Sequence, residues 1–283
     1  MPVFEQGYRR YSGSRARRIA RWWPIARTSF RVTMRWPFYA VLVLASFPLF
    51  QKIFEVYAAG AGAALFPGAR IMFGFSDGLF YDLISRETFF TVLLLTVTGA
   101  GQIAEDLRSG ALQIYFGKPI RQADYVIGKL AAAVFSALLV TLAPAIVLFA
   151  ACAAFAPDFS FITGNPLLPL RILGYCGLVS LSLGSLVLAL SSLARSGRSV
   201  ALLFAGAYFL TMLLSRVLDR LFMDWRFAAV HIGKCLDAAG RSLFVDGPNP
   251  PAPTDLSLGM IASIFFLSVL LLSRRVSNAE VVS

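Results

Sequence analysis

The sequence offers few side chains with which to do chemistry. His231 is the only histidine, and no second His or Glu stands at zinc-ligand spacing from it, which excludes HExxH metal chemistry. A lone histidine of this kind reads as structural. Glu105 and Asp106 are adjacent carboxylates, but consecutive helical residues point about 100° apart, so the two do not share a proton as a catalytic dyad does. Cys152 and Cys176 fall inside apolar blocks and Cys235 in a polar connection, without metal-ligand spacing. Three Gly-Lys pairs, Gly117-Lys118, Gly128-Lys129 and Gly233-Lys234, lack the GxxxxGK[ST] frame of a phosphate-binding loop, and there is no GxSxG turn. No catalytic constellation emerges, so the chain is not expected to be an enzyme. Any ATP chemistry linked to it belongs to another chain.

One stretch does carry recognisable organisation: EDLRSGALQIYFGKPIRQADYVIGK, residues 105–129. It opens with charges and a turn at Ser109-Gly110. A short amphipathic run follows, with Leu112, Ile114, Tyr115 and Phe116. Lys118-Pro119 then interrupts the chain, because a residue before proline is pushed out of the helical region. Polar residues lead on to Gly128-Lys129 and a long apolar block. A short helix held between two breakers is a docking surface.

The elements that must position this stretch are membrane spans. Hydrophobic residues make up 58% of the chain and charged residues 14%, against about 45–50% and about 25% in soluble proteins. The apolar residues come in blocks near the length of about 20 that a spanning helix needs. The expected spans are 37–57, 88–104, 126–155, 171–195, 198–221 and 256–273, with a kink at Pro144 in the third. Lys52 and Glu55, three residues apart near the far end of the first span, are expected to pair and snorkel to the interface. Residues 58–87, with Asp77, Asp82, Arg86 and Glu87 near their end, read as an outward loop. On that reading the spans hold no buried acid of the kind that marks an ion relay. Residues 223–254 form the longest outer connection and read as a short helix or re-entrant hairpin ending in the stiff turn DGPNPPAPTD.

Charge placement orients the expected bundle. The pieces 1–36, 105–129, 195–199 and 274–283 hold 17 of the 26 Lys and Arg but only five of the 15 Asp and Glu. The positive-inside rule therefore puts both termini in the cytoplasm of a cell-membrane protein. Nine arginines precede the first span, which is expected to act as an uncleaved signal anchor. The net charge of +11 comes without a nucleic-acid-binding motif, so the basic residues are assigned to membrane orientation and anionic lipid. Residues 14–35 read as an amphipathic helix on the inner leaflet, interrupted at Pro24. Ile19, Trp22, Trp23, Ala26 and Phe30 lie on one side of it, and Arg17, Arg18 and Arg21 largely elsewhere. The organisation expected is thus an all-α, six-span domain over 37–273, preceded by a basic segment with an interfacial helix (1–36) and followed by a cytoplasmic tail (274–283).

The 105–129 stretch resembles the signature of permease subunits of type-2 ATP-binding-cassette exporters. In that family a Glu after the second helix precedes a Gly-Thr-Leu-Glu-like run, a Pro-Ile-Ser-Arg-like run and a Gly-Lys that opens the third helix. The matching positions are Glu105, Gly110-Ala111-Leu112-Gln113, Pro119-Ile120-Arg121 and Gly128-Lys129. Ala111 replaces Thr, Gln113 replaces Glu, and the Ser before Arg121 is missing. The interfacial helix, six spans, outer re-entrant segment and inward termini fit the same plan. The resemblance implies a permease that dimerises with itself or a paralogue and docks separate P-loop ATPase subunits, which hold the ATP and Mg2+. It implies coupling through Glu105, Gly110, Leu112, Ile114, Tyr115, Phe116, Pro119, Arg121 and Lys129. A lipid, amphiphilic drug or peptide is the expected cargo. An ion-coupled or facilitative carrier and a non-transport scaffold are the competing readings.

Overall fold

In a computed structural model, residues 21–65, 77–117, 120–155, 161, 165–194, 196–244 and 254–281 are described. These residues are helical, with no strand among them. In chain order the helices are α1 (Trp22–Thr33), α2 (Trp36–Leu65), α3 (Gly78–Leu94), α4 (Gly101–Arg108), α5 (Ala111–Phe116), α6 (Gln122–Phe155), α7 (Leu168–Leu193), α8 (Gly197–Phe222), α9 (Ile232–Phe244) and α10 (Thr254–Val281). A π-helical turn, Leu95–Gly99, joins α3 to α4, and a 3-10 turn, Trp225–Val230, precedes α9.

Six stretches are long and apolar enough to cross a membrane: Trp36–Ala58, Gly78–Arg108, Gln122–Phe155, Leu168–Leu193, Gly197–Phe222 and Thr254–Ser277. This is the architecture of a multi-pass membrane protein. The second span differs most from expectation. It starts at Gly78 rather than at residue 88, so Asp82, Arg86 and Glu87 lie on a helix and not in a loop. Tertiary partners make this tolerable for two of them. Lys52 Nζ reaches Asp82 at 3.4 Å as well as Glu55 at 2.8 Å, and Arg86 donates to Gln51 Oε1 at 2.7 Å. Lys52 is buried among these acids instead of snorkelling outward. α6 runs unbroken through Pro144, and α2 through Pro48.

The bundle is organised around α7 and α6, which pack along each other. Their contact is built from small residues. A Cβ on Gly184 of α7 would meet Ala133 Cβ at 3.6 Å, and Ala132, Ser136, Ala137, Ser180 and Ser185 are all buried. Lipid is as apolar as a leucine side chain, so close backbone approach through small residues is what holds spans together. α10 packs along α7 and also touches α6; α2 and α3 lie against α6; α8 leans on α4 and α7.

α1 lies along the first half of α6. Its packing face is Ile25, Ala26, Ser29 and Thr33, at helical spacing, while Trp23 is about half exposed at 49%. Pro24 does not break it, because it sits in the first turn, where the missing N–H has no partner to lose. Gly128 of α6 allows the approach: a Cβ there would stand 2.8 Å from Ile25 Cβ and 2.9 Å from the Trp22 carbonyl. Arg17 and Arg18 lie outside the described residues.

Candidate functional site

The 105–129 stretch folds as helix, turn, short helix and helix. α4 ends at Ser109, whose N–H and Oγ both donate to the Glu105 carbonyl, at 2.9 and 2.8 Å. Gly110 then adopts φ 68°, ψ 15°. This left-handed conformation suits glycine because it has no Cβ to clash. The turn sets α5 off in a new direction, against α4 and the end of α10. Within α5 the side chains divide. Leu112 is 4% exposed and belongs to the core, Tyr115 is half-buried, and Ile114 is 70% exposed. The outward face is therefore centred on Ile114, and Leu112 anchors α5 to the bundle. The side chain of Phe116, and Lys118 and Pro119, lie outside what is described. Arg121 precedes α6, and its N–H donates to Asp124 Oδ2 at 3.1 Å, closing the first turn.

Behind α5 sits a buried polar hub that ties the second span to the third. Lys129 is 5% exposed. Its Nζ pairs with Asp106 Oδ2 at 2.6 Å and donates to the Gln102 carbonyl at 2.8 Å. Tyr125 OH donates to the same Asp106 oxygen at 2.8 Å, and the Tyr125 and Tyr115 rings meet at 5.5 Å between centroids. Burial and the Asp106 charge hold the Tyr115 phenol above its usual pKa. The partner of Lys129 is thus Asp106, a residue outside the set that the family resemblance implies. A lone lysine opening an apolar span was the clue, since it needs a carboxylate within reach. Glu105 points elsewhere. It is exposed, and Oε1 would lie 2.7 Å from a Cβ on Gly101 and 3.4 Å from one on Gly197. The two adjacent carboxylates face different surroundings, as the helical turn between them requires.

The π turn above this hub is spliced into the bundle by one hydroxyl. Ser191 Oγ of α7 donates to the Ala100 carbonyl at 2.7 Å and accepts from the Ile103 and Ala104 N–H groups, both at 3.1 Å. Those backbone groups lie where π geometry gives way to α geometry and the regular ladder is interrupted. π turns of this sort recur at functional sites.

Two further polar features stand apart from the 105–129 stretch. Glu87, placed in a loop by the sequence reading, is inside the second span and fully buried at 0% exposure, and neither carboxyl oxygen has a hydrogen-bond partner. The spans are therefore not free of buried acid. At the other end, α9 packs an apolar face (Ile232, Cys235, Leu236, Ala239) into the bundle. It is tied to α3 by Tyr81 OH donating to Asp237, and by Arg241 Nε donating to Tyr81 O at 2.8 Å. Within the 223–254 connection the structure has a 3-10 turn and the helix α9; residues 245–253 lie outside the described residues. His231 is buried beside Tyr208, with Nδ1 3.1 Å from Thr211 Oγ1. Burial, then Lys234 and Arg216, pull its pKa down to about 4, so it is a neutral structural residue. No group of three metal-ligating residues occurs among the described residues.

Compared with known proteins, the chain matches no family model and no curated protein.

Proposed function

We propose that this chain is the membrane-embedded permease subunit of an exporter powered by separate P-loop ATPase subunits, in the cell membrane with both termini in the cytoplasm. The observation that carries the proposal is the 105–129 geometry. A short helix with an outward apolar residue, Ile114, is set by a left-handed glycine beside the Asp106–Lys129 pair that joins the second span to the third, and its Tyr115 ring meets Tyr125 of the third span. A push on α5 is transmitted to both the second and third spans, and the π turn gives the second span a place to yield. ATP-driven closure of the ATPases, which favours one of two arrangements of the bundle, would alternate access to the cargo. Rows of large apolar side chains on α2 (Phe47, Phe50, Phe54) and α8 (Leu202, Leu210, Leu213) face outward, available to lipid or to a second permease copy.

The test is co-purification in mild detergent. A P-loop ATPase should elute with the tagged chain at one copy per permease. Ile114→Asp should release it while leaving the permease monodisperse. Leu112→Asp is the wrong probe, because Leu112 is a core residue. Absence of any ATPase across several detergents would overturn the proposal.

A second reading, a carrier coupled to a proton or cation, is favoured by Glu87. An unpartnered carboxyl inside a span is a costly feature to retain without a use. Transport that persists without ATP hydrolysis and is abolished by Glu87→Gln would select it.

A further inference from the structure

Between the junction of α1 and α2, the π turn, α4 and the start of α8 lies a cavity of about 840 Å3, within the range of small-molecule sites. Its polar lining is lopsided. Arg35, Arg108 and Arg198 all border it, against a single carboxylate, Glu105. Among the described residues, no ion pair or hydrogen bond occupies those three guanidinium groups. The 26-residue helix α8 begins at the same place. Ser196 Oγ accepts from the Ser199 N–H, which leaves the N–H groups of Gly197 and Arg198 at the helix's positive end without an intrahelical acceptor. Three planar forks and a helix N-terminus together suit a phosphate-class anion, which accepts several charge-assisted bonds at once.

Beyond the charged groups the lining is mixed: Val32, Pro37, Val97 and Ala201 supply apolar surface, with threonine, serine and glutamine side chains between them. A free inorganic anion would leave that surface uncovered. An amphiphile satisfies both parts, with its head among the arginines and its chain along the apolar wall. Two of the walls, the π turn and α4, are the segments that lead to α5, so an occupant touches the stretch directly connected to the element that the ATPases would push.

We propose that this cavity receives the phosphate-class headgroup of an amphiphile from the inner leaflet, and that such amphiphiles are the cargo. The cargo assignment rests on the exporter reading; the binding site itself does not.

The experiment uses the purified full chain in neutral detergent, titrated with dioctanoyl phosphatidic acid, dioctanoyl phosphatidylcholine and inorganic phosphate. Phosphatidic acid should bind at least about tenfold more tightly than phosphatidylcholine. The double variant R108Q/R198Q should lose that preference, while R108K/R198K should keep most of it and the distant Arg274→Gln should keep all of it. Equal binding of the two lipids overturns the site, as does an undiminished preference in R108Q/R198Q. If the lysine pair loses binding of both lipids along with the glutamine pair, the loss is structural and the arginines are not the recognition element. Displacement of phosphatidic acid by equimolar inorganic phosphate overturns the amphiphile part, because it shows that the apolar wall contributes nothing. No ATPase is needed for this assay. An ATPase that co-purifies with a chain lacking lipid preference refutes the cavity alone. A lipid preference without any ATPase keeps the cavity and removes the exporter reading.

Discussion

Lys129 shows how a single side chain can join two spans. It is buried at the start of α6 and pays its desolvation through Asp106 and the Gln102 carbonyl. Breaking such a pair from one side is worse than removing it, because the survivor is left charged in a poorly solvated place. Lys129→Met is therefore expected to destabilise the chain by about 2–4 kcal/mol, toward the lower end because Asp106 keeps some solvent. The double variant D106N/K129M should recover at least half of that loss. Thermal unfolding of the purified proteins in one detergent measures both. A double variant no better than the single one would mean that the pair is not the stabilising unit.

At the scale of elements, the informative object is the second span, which is two α segments with a π turn between them. Its continuity depends on α7, since Ser191 supplies one donor and one acceptor to three backbone groups around Ala100 and Ala104. Ser191→Ala leaves those groups buried and unpaired and should cost about 2 kcal/mol. Hydrogen exchange should speed up selectively at residues 100–104. Uniform exchange across the span would show that the π turn holds without the hydroxyl. The short helix α5, next along the chain, shows why Ile114 and Leu112 differ. They are two residues apart on a helix and so face nearly opposite ways, one to the core and one to the surface.

For the whole molecule, the six spans leave one prediction about sidedness. The junctions bordering the arginine cavity and the α5 surface belong to one end of the bundle, and α9 with the Tyr81–Asp237–Arg241 network belongs to the other. The sequence pieces expected on the inner side hold 17 of the 26 basic residues, and their described parts belong to the first of these ends, so that end should face the cytoplasm. In sealed right-side-out vesicles, Leu243→Cys should react with an impermeant maleimide from outside, and Ser199→Cys only after permeabilisation. The native cysteines are all buried and should contribute little background. The opposite labelling pattern would invert the topology and detach the 105–129 segment from any cytoplasmic ATPase.

Apolar block length alone determined the all-helical class and the number of spans, because a bilayer demands internal hydrogen bonding over a set length, and that demand is written locally. The turn at Gly110 and the lysine that opens α6 were legible for the same reason: each is a local exception to the pattern around it. Span boundaries were less so. Asp82 and Arg86 read as loop residues because their partners, Lys52 and Gln51, lie 30 and 35 residues away. Only the tertiary structure decided that Glu87 is buried, that Asp106 rather than Glu105 holds Lys129, that Leu112 faces inward, and that three separated arginines border one cavity. Each of these depends on which helix lies beside which. That is settled by the small-residue packing of α6 against α7 across the bundle, and not by any stretch of chain taken singly.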